Sequence, residues 1–352
     1  MELTQQGIYR ILIAHLARGK RKTEFFGDLT LSEKAFANSL IDNGFPTIYY
    51  EIHLKGRPRT DMHVSVSSKS IHACETIPPH LGGSGYEEFF AWYKTTTGRR
   101  TLHLAYDLSE KRTDSHGIQL FFELPFSDVK EYFRIMGSEV SAEYLREFEA
   151  RAPKGWRPIY FALLQGRPGS PVRIDYFVRK ERQEIYARDI NVLGEDLKSV
   201  GFYAVNDEFL YFCSEIAKAP FPMELQFNVL GGGTVDSTIG VSATLMPTVL
   251  GLRRPDNPTF AQAVESFSEG GAAYRLLQRV ETWGLGDSRW RYAKDIIFYK
   301  RLSLGGANVF LFSMPVFLKV RWREGKPFDA KIYDIATAGN MAHEDSFNKR
   351  NK

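Results

Sequence analysis

The feature that most constrains this chain is a repeat: two short strand-like runs joined by a turn, followed by one or two helical runs, recur five times at a spacing of about 60 to 70 residues. The paired runs lie at 47–55 with 61–67, 101–108 with 117–124, 159–165 with 172–179, 223–230 with 237–245, and within 315–336. Helical periodicity follows at 85–95, at 127–135 and 141–150, at 192–200 and 207–217, and at 259–267 and 271–283. Glycine- and proline-rich turns such as Gly56–Arg59 and Gly166–Gly169 separate the strands of a pair. Successive hairpins pair edge to edge, and a sheet of about ten strands removes its edges by closing. The expectation is therefore an α+β fold: a single closed antiparallel barrel of about ten strands, built from five ββαα-like repeats and ringed by helices.

Alternation within the strands says which face meets the helices. Ile48, Tyr50 and Ile52, like Met223, Leu225 and Phe227, form apolar rows that suit a helical cover, and the intervening residues then line the lumen. These include Tyr49, Glu51, His53, His63, His103, Phe121, Arg173, Asp175, Phe177, Glu224 and Gln226. In the last hairpin, Leu318, Val320 and Trp322 alternate with Lys319, Arg321 and Arg323, and Ala330 and Ile332 with Lys331 and Tyr333. A sheet face this polar beneath a helical shell suits an enclosed, wet, ligand-binding interior.

Composition narrows the class. The 352 residues are 43% hydrophobic and 25% charged, as in a soluble globular protein, and a net charge of +4 with no long basic patch argues against a nucleic-acid partner. Two cysteines, Cys74 and Cys213, rule out a disulfide framework and suit a reducing cytoplasm. No apolar run reaches the ~20 residues of a membrane helix. The sequence contains no Asp-Asp-x-x-Asp, no Walker-type or dinucleotide glycine motif, and no G-x-S-x-G or H-E-x-x-H.

The hairpin segments IYYEIHLKGRPRTDMHVSVSS, TLHLAYDLSEKRTDSHGIQLFFEL and PIYFALLQGRPGSPVRIDYFVRK resemble, in strand and turn length, those of the ABBA-type (PT-barrel) aromatic prenyltransferases. The resemblance covers residues 45–336, and it implies transfer of a prenyl group from a dimethylallyl or geranyl diphosphate donor to an aromatic small molecule or a peptide side chain. In that reading Arg173, Lys319, Arg321, Lys331 and Tyr333 bind the diphosphate. Glu51 is the base for the acceptor proton, with Glu224 as the second candidate, and Tyr49, His103, Phe121, Phe177 and Gln226 line the cation and acceptor pocket. The chain departs from relatives at Gly117-Ile118-Gln119, where several have Lys-x-Tyr, and at His63, where magnesium-dependent members have an aspartate. The implied enzyme uses no metal and no cofactor.

The chemistry suits these residue types, since an ionising allylic diphosphate needs cations at the leaving group and aromatic faces around the carbocation. A non-catalytic barrel for an anionic or amphipathic ligand, or a scaffold protein, is the alternative. The division expected is 1–44 as N-terminal helices packed on the barrel, 45–338 as the barrel, and 339–352 as a flexible tail.

Overall fold

The structure, a computed structural model, describes residues 5–37, 39, 47–67, 86–95, 101–108, 118–122, 129–163, 171–245, 258–304 and 306–340. Eleven strands are present among them: β1 (Thr47–His53), β2 (Thr60–Ser67), β3 (Thr101–Tyr106), β4 (Ile118–Phe122), β5 (Trp156–Leu163), β6 (Val172–Val178), β7 (Met223–Val229), β8 (Val235–Thr244), β9 (Phe298–Leu304), β10 (Ala307–Arg323) and β11 (Lys326–Asn340). They form one antiparallel sheet in the order β11-β1-β2-β3-β4-β5-β6-β7-β8-β10-β9, and β10 pairs with β11 as well. The sheet curls so that the first and last hairpins meet, Glu51 opposite Tyr333.

The sheet departs from the expected barrel in two ways. The sheet is not an evenly closed ten-stranded barrel, because the β4–β5 ladder is reduced to the single pair Phe122↔Phe161 and the wall opens along that seam among the described residues. An eleventh strand, β9, pairs with the upper half of β10, which β8 is too short to reach; left bare, that half would be an unpaired edge. Strand β11 runs as far as Asn340, which pairs with Val309; the rest of the expected tail, residues 341–352, and Cys74 lie outside the described residues.

The last hairpin turns at Glu324 and Gly325, both with positive φ (52° and 75°), the pattern of a type I′ turn. The register shift between Pro315 and Phe317 reverses which face looks inward, and proline, lacking an N–H, suits that break in the ladder. Beyond the shift, Leu318, Val320 and Trp322 join the helix-side core and Lys319 and Arg321 face the lumen. Before it, Val309 and Leu311 face the helices, while Phe310, Phe312 and Met314 join Ile335 in an apolar cluster against Tyr49, Phe317 and Tyr333.

Helices cover the outer face: α1 (Gln5–Leu16), α2 (Lys20–Phe26), α3 (Thr30–Ala37), α4 (Tyr86–Thr95), α5 (Val129–Ile135), α6 (Glu139–Glu149), α7 (Lys180–Arg188), α8 (Asn191–Ser199), α9 (Asp207–Lys218), α10 (Pro258–Ser266) and α11 (Ala272–Thr282). In α9 the buried Phe209, Phe212, Cys213 and Ile216 make one stripe that packs on Trp322, whose ring lies 5.2 Å from Phe209 and 6.0 Å from Phe212. Asn206 fixes this contact twice, since its side-chain oxygen accepts from Phe209 N at 3.0 Å and its Nδ2 donates to Gly325 O at 2.9 Å. The N-terminal segment forms three of these helices; the short α2 carries the basic run Lys20–Lys22 at its start and buries Phe25 and Phe26 at its end. No helix among the described residues is long and apolar enough to cross a membrane.

Candidate active site

Cross-strand register decides which side chains share the lumen. Thr244, Phe317, Tyr333, Glu51 and Asp61 form one row around the wall, and Glu224, Ser242, Lys319, Lys331 and His53 form the next. The row after that holds Tyr160, Asp175, Gln226, Gly240 and Arg321. All of these but Thr244, His53 and Gly240 line a cavity of ≈ 280 Å³, to which Tyr49, His63, His103 and Arg173 also contribute.

The carboxylates occupy two different environments. Glu51 accepts from His63 Nε2 at 3.0 Å through Oε2 and from the Lys331 ammonium through Oε1. Burial pushes its pKa up, but Lys331 and His63 outweigh burial and hold the carboxyl well below the usual range. Asp175 and Glu224 lie on the opposite wall. Asp175 is 2% exposed; its Oδ2 accepts from Gln226 Nε2 at 2.8 Å and lies 3.8 Å from Lys319 Nζ, while its Oδ1 has no partner. Glu224 has the Thr244 hydroxyl at 3.4 Å. Burial, then the Asp175 charge, pushes Glu224 up to about 8, and burial pulls Lys319 down.

The cations are held loosely or tightly according to partner. Lys319 and Arg321 sit 3.8 Å from Asp175 and Asp329, beyond hydrogen-bond reach, and the Arg321 guanidinium also lies 5.0 Å from the Phe328 ring centroid. Arg173 donates through Nε to Asn228 Oδ1 at 3.2 Å. Lys331, by contrast, is committed to Glu51. A dianionic ligand can displace the loose partners at small cost, because a pair lacking a hydrogen bond gives up little on separation.

Aromatic faces close the other side. The His103 ring lies 5.5 Å from Tyr49 and 6.2 Å from Tyr160, each tilted by about a third of a right angle (30° and 35°), so three rings stand side by side. Burial, then the His63 charge, lowers the His103 pKa to about 3, which keeps this ring neutral and an acceptable neighbour for a carbocation. Phe317 meets Tyr333 edge-on at 6.3 Å.

Of the residues chosen from sequence, Glu51, Glu224, Arg173, Lys319, Arg321, Lys331, Tyr333, Tyr49, His103 and Gln226 all line this one cavity. Phe177 does not; its ring lies 5.3 Å from the Arg157 guanidinium and packs there instead. Phe121 lies in β4 opposite His103, and its side chain is outside the described residues. Sequence reasoning missed Asp61, Asp107, Tyr160 and Phe317 as lining residues and Asp175 as a partner of Lys319. Strand alternation was a usable signal for Tyr160, two positions from Ala162 on β5, but the register shift between Pro158 and Tyr160 blurs it. Glu51, His53 and Asp61 bring ligand-type atoms within 4.8 Å of one another, the one such group among the described residues. Its members already bind each other or a lysine, His53 to Asp61 at 3.0 Å and Glu51 to Lys331, so a divalent ion would have to displace an ammonium.

No protein-family model matches the sequence, and no curated protein matches it. Among solved structures, the fold is similar to 6-dimethylallyltryptophan synthase from Micromonospora olivasterospora (11% identity over 94% of this chain and 97% of that one, TM-score 0.48). It is similar too to 5-dimethylallyltryptophan synthase from Streptomyces coelicolor (10% identity over 95% and 97%, TM-score 0.45). A third similar structure is the prenyltransferase PriB in its ternary complex with L-tryptophan and dimethylallyl thiolodiphosphate (12% identity over 96% of each chain, TM-score 0.48). At TM-scores of 0.45 to 0.48 the likeness transfers no residue role, and the chemistry rests on this chain's own cavity.

Proposed function

We propose that the protein transfers a prenyl group from an allylic diphosphate to an aromatic acceptor, with an aromatic small molecule as the first acceptor to try and a peptide side chain as the second. The observation that carries this reading is the joint presence, in one cavity, of the cations Arg173, Lys319 and Arg321, the Tyr49–His103–Tyr160 rings, and the ionised Glu51. The diphosphate takes the place of Asp329 and Asp175 on Arg321 and Lys319, with Arg173 beside them and Tyr333 supplying a neutral hydroxyl. The C–O bond breaks heterolytically, its electron pair leaves with the diphosphate, and the rings shield the allylic cation from water. The acceptor ring attacks, forming the new bond, and the resulting arenium ion gives its proton to Glu51. An arenium ion is a strong acid, so a carboxylate held at low pKa still serves as its base, and that low pKa keeps it ionised at every working pH. Lys331 holds Glu51 in place rather than reaching for the donor.

The reading includes no metal, since Glu51 is already paired with the Lys331 ammonium and Asp61 with His53. The test is incubation with dimethylallyl or geranyl diphosphate and a panel of indoles and phenols, including tryptophan, with mass detection of prenylated product. Absence of product, together with absence of diphosphate binding by calorimetry, would refute it in favour of a ligand-binding barrel.

A further inference from the structure

Two carboxyl groups on the β6–β7 wall share one ammonium. Asp175 and Glu224 are 2% and 7% exposed, and Lys319 is the lysine that faces both. Two buried carboxylates beside a single cation cannot both ionise cheaply, so the pair retains a proton. The hydrogen bonds say which member holds it. Asp175 receives the Gln226 amide at 2.8 Å and has Lys319 at 3.8 Å, both of which favour the ionised form. Glu224 has the Thr244 hydroxyl, at the long distance of 3.4 Å. Glu224 is therefore the neutral acid of the pair, placed in the same row as Lys319 with Ser242 between them.

Resting on the prenyl-transfer reading above, we propose that Glu224 is the proton donor to the departing diphosphate. When the C–O bond breaks, the diphosphate oxygen gains the electron pair and takes the Glu224 proton, leaving a Glu224 carboxylate against Lys319. The acceptor's proton leaves separately to Glu51, so each turnover moves one proton off Glu224 and one onto Glu51, and exchange with solvent restores both. Protonating the leaving oxygen lowers the charge that Arg173, Lys319 and Arg321 must stabilise. Asp175 on β6, Tyr160 on β5 and Lys319 on β10 act on Glu224 directly, and Arg173 on β6, Glu51 on β1 and Tyr333 on β11 line the same cavity. Of the charges acting on Glu224, Asp175 raises its proton affinity most and Lys319 opposes it.

The experiment is the pH profile of kcat for the wild type, Glu224→Gln and Asp175→Asn, with prenyl diphosphate affinity measured alongside. The wild type is expected to lose activity as pH rises through about 8. Glu224→Gln is expected to lower kcat on the order of 10²-fold, with affinity changed less than about 3-fold and the alkaline limb gone. Asp175→Asn, which removes the charge that holds the proton on Glu224, is expected to move the limb to lower pH. A Glu224→Gln enzyme that keeps the wild-type kcat and the alkaline limb overturns the proposal while leaving prenyl transfer intact. A wild type that makes no prenylated product with any donor removes the transfer reading and this proposal with it.

Discussion

Lys319 crosses the wall of the sheet over Gly240: its Cε lies 2.9 Å from where a Cβ on Gly240 would stand, and only a residue without a side chain lets the ammonium approach Asp175. The backbone at Gly240 needs no left-handed conformation. What the site requires there is space.

Gly240→Ala is accordingly expected to move the lysine rather than break the fold. The displaced atom is near the end of a flexible side chain, so the stability cost is about 1 kcal/mol, with Gln226 Cβ at 3.3 Å the second neighbour to give way. Diphosphate affinity should fall about 10-fold, roughly one charge-assisted hydrogen bond. Calorimetric titration with inorganic diphosphate beside a thermal melt checks it, and unchanged affinity would show that Lys319 does not touch the ligand.

Arg321 and Glu51 should separate binding from turnover. Arg321→Ala removes a cation whose hold on Asp329 is loose at 3.8 Å, so nothing is stranded, and both donor affinity and kcat should drop, affinity by about 10- to 100-fold. Glu51→Gln keeps the shape but releases Lys331 from its carboxylate partner. Donor affinity should hold or tighten while kcat falls by on the order of 10² to 10⁴. Loss of donor affinity in Glu51→Gln would mean that the carboxylate organises the diphosphate site instead of taking a proton.

Chelation addresses the group at Glu51, His53 and Asp61. Turnover is expected to persist in excess EDTA, because each of these donors is already paired within the chain. Activity that vanishes in EDTA and returns with magnesium would place an ion there and displace Lys331 from the mechanism.

Much of this site was legible because β-strand alternation is strict: once Ile48, Tyr50 and Ile52 were assigned to the helices, Tyr49 and Glu51 had to face the lumen, and they do. The helices at 86–95 and 207–218 likewise match their periodic stretches to within a residue. The rest failed for identifiable reasons. Phe177 has the right parity, but Arg157 across the β5–β6 ladder takes its ring. Strand β9 (FYKRLSL) mixes charged and apolar residues and has no internal reason to be extended; it is a strand because β10 offers it an edge. Helix α7 is nearly all polar outside Tyr186 and Ile185, so its sequence shows no apolar stripe. Pairing distances such as Lys319 to Asp175 depend on four strands keeping register across three ladders, which no single segment encodes.

Asp334 offers a test of the outer face that leaves the cavity untouched. It is fully buried on β11 opposite Tyr50, with the Ser313 hydroxyl donating to Oδ2 at 2.9 Å and Oδ1 lacking a partner. Burial raises its pKa well above the usual value, against the pull of Ser313 and Lys22. The sign follows directly. The folded protein keeps a proton that the unfolded chain releases near pH 4, so the associated stability is full below that pH and is lost as pH rises towards the folded pKa, at up to about 1.4 kcal/mol per unit. Asp334→Asn removes the titration while retaining the shape, although its buried amide N–H groups need acceptors and cost something at every pH. The melting temperature of Asp334→Asn relative to the wild type should therefore start at or below zero near pH 4 and climb steadily through pH 7 and 9, with kcat unchanged where both are folded. A difference that stays constant across that range would mean that Asp334 is ionised in the folded protein and that Lys22, close enough to pull its pKa down, compensates it.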